Sequence, residues 1–197
     1  EDWNSTNNSD KKTLLRKFSV NSSGKVTVNN NLLSDTSFKD TTTYNEATLR
    51  KLLNFLGFDV LPATTVRVKD ITLTTANATK PIKVLGATIH STPASVSYFA
   101  TLDASGKVTA TRDDYVFFGS TEGGLHLVNA DSAGTTGNGG KEEFVIIPRA
   151  MLADPIQSEA LVKGATKNEI GSPSFGVDAP WIVSADYKYD FAAKRVN

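Results

Sequence analysis

Residues 114–148 constrain the fold of this chain more than any other stretch. They hold three short apolar runs, at 115–118, 125–130 and 142–147, divided by Thr121-Glu122-Gly123-Gly124 and by a glycine-rich loop at 133–140. Each run is too short for a stable helix and is rich in β-branched and aromatic residues, so each reads as a strand. Gly119 lets the first strand bend, and Glu122-Gly123-Gly124 makes a tight return into Leu125. Ala130-Asp131 ends the middle strand, Gly140-Lys141-Glu142 opens the third, and Pro148 closes it. The spacing predicts an antiparallel meander.

The flanking sequence continues that texture. Val66, Val68, Ile71 and Leu73, then Ile82, Val84 and Ile89, then residues 96–102, are apolar runs separated by small turn formers. Asp103-Ala104-Ser105-Gly106 reads as a hairpin turn. Earlier, Asn21-Ser22-Ser23-Gly24 lies between Lys17-Phe18-Ser19-Val20 and Lys25-Val26-Thr27-Val28, which predicts another hairpin. One amphipathic helix is expected after Asn45, a good N-cap: Glu46 suits its first turn, Leu49, Leu52, Leu53 and Leu56 share a face, and Gly57 stops it. A second helix is expected after Pro148, with Pro155 starting or kinking its later part. The run 181–185 reads as a final strand, and the polar residues 1–12 as a mobile end. The expected organisation is a region 1–80 with tail, hairpin and helix, and a β-rich region 81–197.

Composition excludes several kinds of chemistry. With no cysteine and two histidines, His90 and His126, the chain has no disulfide framework, no thiolate metal site and no cysteine nucleophile. Its 21 basic and 21 acidic residues cancel, and no Lys/Arg stripe is interleaved with aromatics, so nucleic-acid binding is not expected. No apolar run approaches membrane-spanning length, and nothing near Glu1 resembles a signal core. The sequence begins without Met, so Glu1 is expected to be a processing boundary.

The stretch from Asp114 through Gly119, Glu122, Gly124, Leu125, His126 and Asp131 to Lys141, Glu142 and Pro148 closely resembles a β-propeller blade of the PilC/PilY family, the large type IV pilus tip adhesins and biogenesis factors. That family's pattern is an apolar strand, Gly, an acidic-Gly turn, Leu-His, a strand ending near Asp-Ala, then Gly-Lys-Glu and an apolar strand ending in Pro. Upstream, Leu85-Gly86-Ala87-Thr88-Ile89-His90-Ser91-Thr92-Pro93 resembles the family's entry into its propeller. Downstream, Phe175-Gly176-Val177-Asp178-Ala179-Pro180 resembles the entry to the next blade. Ala87 departs from the family's acidic residue, the hairpin at 102–112 looks like an insertion, and the family's Asp-rich calcium loop does not appear.

The resemblance implies a mainly β fold, an antiparallel partial β-propeller of one blade plus the start of the next, with one or two short helices. It implies a secreted, cell-surface protein at the pilus tip that works with minor pilins, binds a host or abiotic surface, and serves pilus assembly and twitching motility. Calcium would belong to other parts of a full-length protein. A propeller needs several blades, so the chain is expected to be a fragment prone to self-association through its strand edges. The competing resemblance is to quinoprotein-like propellers, either an outer-membrane assembly scaffold or a pyrroloquinoline quinone dehydrogenase; against the latter, Phe144 stands where such blades end in Trp.

No residue is expected to be catalytic, cofactor-binding or metal-binding. His90 and His126 are expected on neighbouring strands, serving by hydrogen bonds. Asp113-Asp114 and Glu122 read as solvated turn groups. Ser91 and Ser120 lack a G-x-S-x-G elbow, which argues against a serine nucleophile. Asn4-Ser5-Thr6, Asn21-Ser22-Ser23 and Asn77-Ala78-Thr79 match the glycosylation acceptor pattern, of a kind that recurs in Asn- and Thr-rich chains.

Overall fold

In a computed structural model of the chain, residues 16–60, 66–74, 86–131, 138–162 and 176–196 are described. The expectations for residues 1–12, Asn4-Ser5-Thr6, Asn77-Ala78-Thr79, Ile82, Val84, Leu85, Phe175 and most of the 133–140 loop lie outside them. The fold is mainly β, with antiparallel sheets and two short α-helices, and no closed sheet forms among the described residues. Two compact units divide the chain, Glu1–Val84 and Leu85–Asn197, each with its own sheet.

In the first unit, β1 (Phe18–Val20), β2 (Val26–Val28) and β3 (Asn31–Leu32) form a small antiparallel sheet. The expected hairpin at 18–28 is present, with Asn21 Oδ1 accepting from the N–H groups of Ser23 and Lys25. The β2–β3 return is a two-residue loop, Asn29-Asn30, with both φ angles positive, the geometry that matches the twist of a tight hairpin. Helix α1 (Glu46–Phe55) starts where Asn45 Oδ1 accepts from the N–H of Thr48 at 3.0 Å, and it ends at Leu56 and Gly57. Leu49, Leu52 and Leu53 are buried on one face, as their spacing predicts, whereas Leu56, the C-cap, is exposed.

The expected strand through Val66, Val68, Ile71 and Leu73 does not form; residues 66–74 are turns and irregular chain. Their backbone groups go elsewhere. Arg50, 2% exposed, donates from Nη1 to the carbonyl of Val60 at 2.8 Å and from Nη2 to that of Val66 at 2.6 Å, and pairs with Glu46 at 2.9 Å. Glu46 Oε1 in turn accepts from the N–H of Val68. Lys25 Nζ takes the carbonyls of Asp70 and Ile71, and the N–H of Leu73 reaches the carbonyl of Gly24.

The second unit is a six-stranded sheet in the order β7-β6-β5-β4-β9-β8. Strands β4 (Ala94–Leu102), β5 (Val108–Gly119), β6 (Leu125–Asn129) and β7 (Glu142–Ile146) are the predicted meander. The 102–112 hairpin extends it: Asp103 Oδ1 accepts from the N–H groups of Ser105 and Lys107, and Gly106 takes φ +80°. After β7, α2 (Arg149–Ala153) follows Pro148, and a separate 3-10 turn (Gln157–Leu161) follows Pro155. Residues 181–185 form no strand; Ile182 is 95% exposed. A short hairpin that the sequence did not suggest, β8 (Tyr189–Asp190) with β9 (Arg195–Val196), adds to β4 instead, burying Val196 against Ala100 and Leu102. No helix among the described residues is long and apolar enough to cross a membrane.

Register places the side chains of the meander. One face carries Tyr115, Phe117, Leu125, Leu127, Phe144 and Ile146, and the other Val116, Phe118, His126, Val128 and Val145. Both faces are therefore rich in apolar groups, unlike a sheet that turns one side to water.

Candidate functional site

The turn that joins β5 to β6 is the meeting point of three segments distant in sequence. Ser120 N–H donates to the carbonyl of Gly124, Gly123 takes φ +96°, and the chain reverses within five residues. Residues 86–91 lie on one side of this turn: Thr121 N–H donates to the carbonyl of Ala87, and a Cβ on Gly86 would meet the Glu122 side chain at 2.9 Å. Residues 176–181 also pack on it: Val177 N–H donates to the carbonyl of Ser120, and a Cβ on Gly119 would come 2.1 Å from the carbonyl oxygen of Val177. Only glycine permits that approach. Trp181 closes this region, its ring edge-on to Phe117 at 6.0 Å and its Nε1–H donating to the carbonyl of Val177.

The buried carboxylate of Asp178 ties the two outer segments together. Its Oδ2 accepts from the N–H groups of Ile89 at 3.0 Å and His90 at 2.9 Å, and its Oδ1 from that of Ser91 at 2.8 Å. His90 Nδ1 stands 3.2 Å from Oδ2, with the imidazole more than half exposed. Burial pushes the Asp178 pKa up, but the N–H bonds from His90, Ser91 and Ile89 outweigh it and hold the group below the ordinary aspartate value. Ser91 completes the tie, its Oγ accepting from the N–H of Gly119 at 2.8 Å.

Beneath the turn runs a second polar chain. Ser120 Oγ lies 3.0 Å from His126 Nε2, and His126 Nδ1 lies 2.5 Å from Glu142 Oε1. The set fits a neutral imidazole that donates from Nδ1 to Glu142 and accepts from the Ser120 hydroxyl. The Ser120 hydroxyl also donates to the carbonyl of Gly124 at 3.3 Å. Phe118 stacks on the imidazole at 5.1 Å, and a Cβ on Gly124 would sit 2.7 Å from Nε2. A serine, histidine and glutamate in this order match the connectivity of a hydrolytic triad. Ser120, however, has no exposed surface and His126 is buried beside it, so the two form a buried hydrogen-bonded pair whose outer end is the exposed Glu142. Glu122 and Glu142 approach opposite ring nitrogens, at 4.0 and 2.5 Å, which leaves no common point for a metal ion. Among the described residues, no group of three or more His, Asp or Glu side chains is placed to hold one.

Of the residues singled out from the sequence, Gly86, His90, Ser91, Gly119, Glu122, Gly124, His126, Glu142 and Asp178 converge on this interlock. Leu125 supports it as a buried residue paired with Ile146. Four lie away from it. Pro93 is exposed just before β4, Asp131 Oδ1 accepts from the N–H of Asp114 at 3.4 Å, the Lys141 carbonyl accepts from Asn129 N–H, and Pro148 precedes α2.

Three expectations are corrected. His90 and His126 do not sit on neighbouring strands; His90 lies in a bend bonded to Asp178, and His126 lies on β6 bonded to Ser120 and Glu142. Glu122 is buried rather than solvated, because residues 86–87 cover its turn. Asp113 and Asp114 lie within β5 rather than in a turn, where Asp114 takes Arg112 and the Ser97 hydroxyl. Ser120, weighed from the sequence only as a nucleophile, and Trp181, read there only as the start of a strand, both belong to the interlock. No protein-family model, characterised protein or solved structure matches this chain.

Proposed function

We propose that this chain is part of a type IV pilus tip-associated protein, secreted and held at the cell surface, that acts by binding rather than by catalysis. The observation that carries the reading is the interlock. The three stretches that resemble the PilC/PilY motifs, around Gly86 to Pro93, around Gly119 to His126 and around Gly176 to Trp181, interlock through Asp178, Ser91 and Gly119. The bond from Ser91 to Asp178 spans 87 positions, which fits stretches that act as one unit.

In this reading β4, β5, β6 and β7 are the four strands of a blade, and residues 176–181 are the entry to the next. A blade packs both of its faces against neighbours, which fits a meander apolar on both sides. The polar chain from buried Ser120 and His126 to exposed Glu142 then fixes the turn from which the blade's loops project. Function would lie in those loops and faces, which meet minor pilins and a host or abiotic surface, because a rigid sheet tolerates variation in its loops without cost to its core.

The test is an in-frame deletion of the codons for residues 86–196 in the source organism. Loss of surface pili and of twitching, restored by the intact gene, is expected. Normal piliation and motility in the deletion strain would overturn the reading.

A further inference from the structure

The first unit holds a cavity of about 350 Å³ beside the start of α1. Its apolar part is Leu33, Phe38, Tyr44 and Leu49, and the Phe38 and Tyr44 rings stack at 4.2 Å with 11° between their planes. Phe18 extends the stack at 5.8 Å from Phe38. The rim is charged: Asp35 pairs with Arg67 at 2.7 Å and with Lys69 at 2.8 Å. Two cations face one carboxylate there, so the rim keeps a surplus positive charge. Glu46 also lines the cavity but does not cancel it, because its carboxylate is held by buried Arg50 and by the N–H of Val68. Ser34, Thr41 and Asn45 supply hydroxyl and amide groups between the two zones.

We propose that this cavity is a binding site for a small acidic saccharide. The volume lies near the lower end of small-molecule pockets, roughly 300–1,000 Å³, which suits one sugar ring rather than a chain of them. A pyranose has an apolar C–H face that packs on Tyr44, the partly exposed end of the stack that buried Phe38 backs, and hydroxyls that meet Ser34, Thr41 and Asn45. A ligand carboxylate joins Arg67 and Lys69, whose donors outnumber what the two Asp35 oxygens can accept. Arg67 is more than half exposed, so its guanidinium is open to a ligand from solvent. The site uses residues of this unit alone and does not depend on the pilus reading.

The experiment titrates the intact chain with sodium D-glucuronate, N-acetylneuraminate and D-glucose, followed by saturation-transfer NMR and by amide shifts. At least one acidic sugar is expected to give saturable shifts of residues around Tyr44 and Arg67, with a Kd on the order of 1 mM, and D-glucose to bind about tenfold more weakly. Added salt weakens the acidic sugar's binding. Arg67→Ala and Lys69→Ala together are expected to raise its Kd at least about tenfold. Thermal unfolding of that variant stays close to the parent's, because exposed ion pairs contribute little stability. The proposal is overturned by an absence of saturable shifts with both acidic sugars, by equal binding of D-glucose, or by undiminished binding in the folded double variant.

Discussion

The carboxylate of Asp178 accepts the backbone N–H of Ser91 at 2.8 Å, a bond across 87 positions of sequence. With the N–H groups of Ile89 and His90 on its other oxygen, it joins two otherwise irregular segments over the β5–β6 turn. A short acceptor with two oxygens suits a bend whose successive N–H groups converge.

Asp178→Ala leaves three N–H groups without that acceptor and is expected to lower the stability of the second unit by about 3 kcal/mol. Urea unfolding followed by Trp181 fluorescence, in a Trp3→Phe background, reads the loss. A midpoint equal to the parent's would show that the bend holds itself without the carboxylate.

Acid should act through the same group. Because the N–H bonds hold its folded pKa below the ordinary value of 3.8, the folded chain takes up this proton less readily than the unfolded one. The stability it contributes is complete above that value and is lost as pH falls through the lowered folded pKa. Asp178→Asn removes this titration while leaving that of Asp114 in both proteins, where burial pushes the pKa up but Arg112 and Ser97 together hold it low. The stability gap between parent and Asp178→Asn is therefore expected to narrow on acidification below 3.8. A gap constant with pH would contradict it.

Ser120→Ala removes the partner of a buried imidazole nitrogen and is expected to cost roughly 1–3 kcal/mol. A fluorophosphonate probe is expected to leave the folded parent unlabelled, since the Ser120 hydroxyl has no exposed surface. Stoichiometric labelling at Ser120 would turn the buried lock into a catalytic serine and end the non-catalytic reading.

Among the described residues, strand β7 ends the strand order of its sheet, with Phe144 and Ile146 exposed on it. Such an edge recruits further strands. Sedimentation is expected to show association that grows with concentration, and Phe144→Lys is expected to shift the population toward monomer. A parent protein that stays monomeric at every concentration would contradict this.

The local elements were legible because short-range chemistry decides them. Asn45 and Gly57 bound α1, Asp103 and Gly106 shape a hairpin, and Gly123 turns β5 into β6. The irregular segment 66–74 was not legible, because Val66, Val68, Ile71 and Leu73 imitate a strand while Arg50 and Lys25 satisfy several of its carbonyls. Nothing in the spacing of α1 reveals that Arg50 points inward. The site was legible as residues and not as contacts: Asp178 and Ser91 each stood in a recognisable stretch, but only the fold brings them together. Glu122 misled because an acidic residue in a Gly-Gly turn normally meets water, and here a distant segment covers it.

Immunogold labelling of intact, piliated cells of the source organism, with antibody raised against this chain, tests the central claim most directly. Gold at the distal ends of pili is the predicted result. Pili that carry no gold, on cells shown to produce the protein, would contradict it.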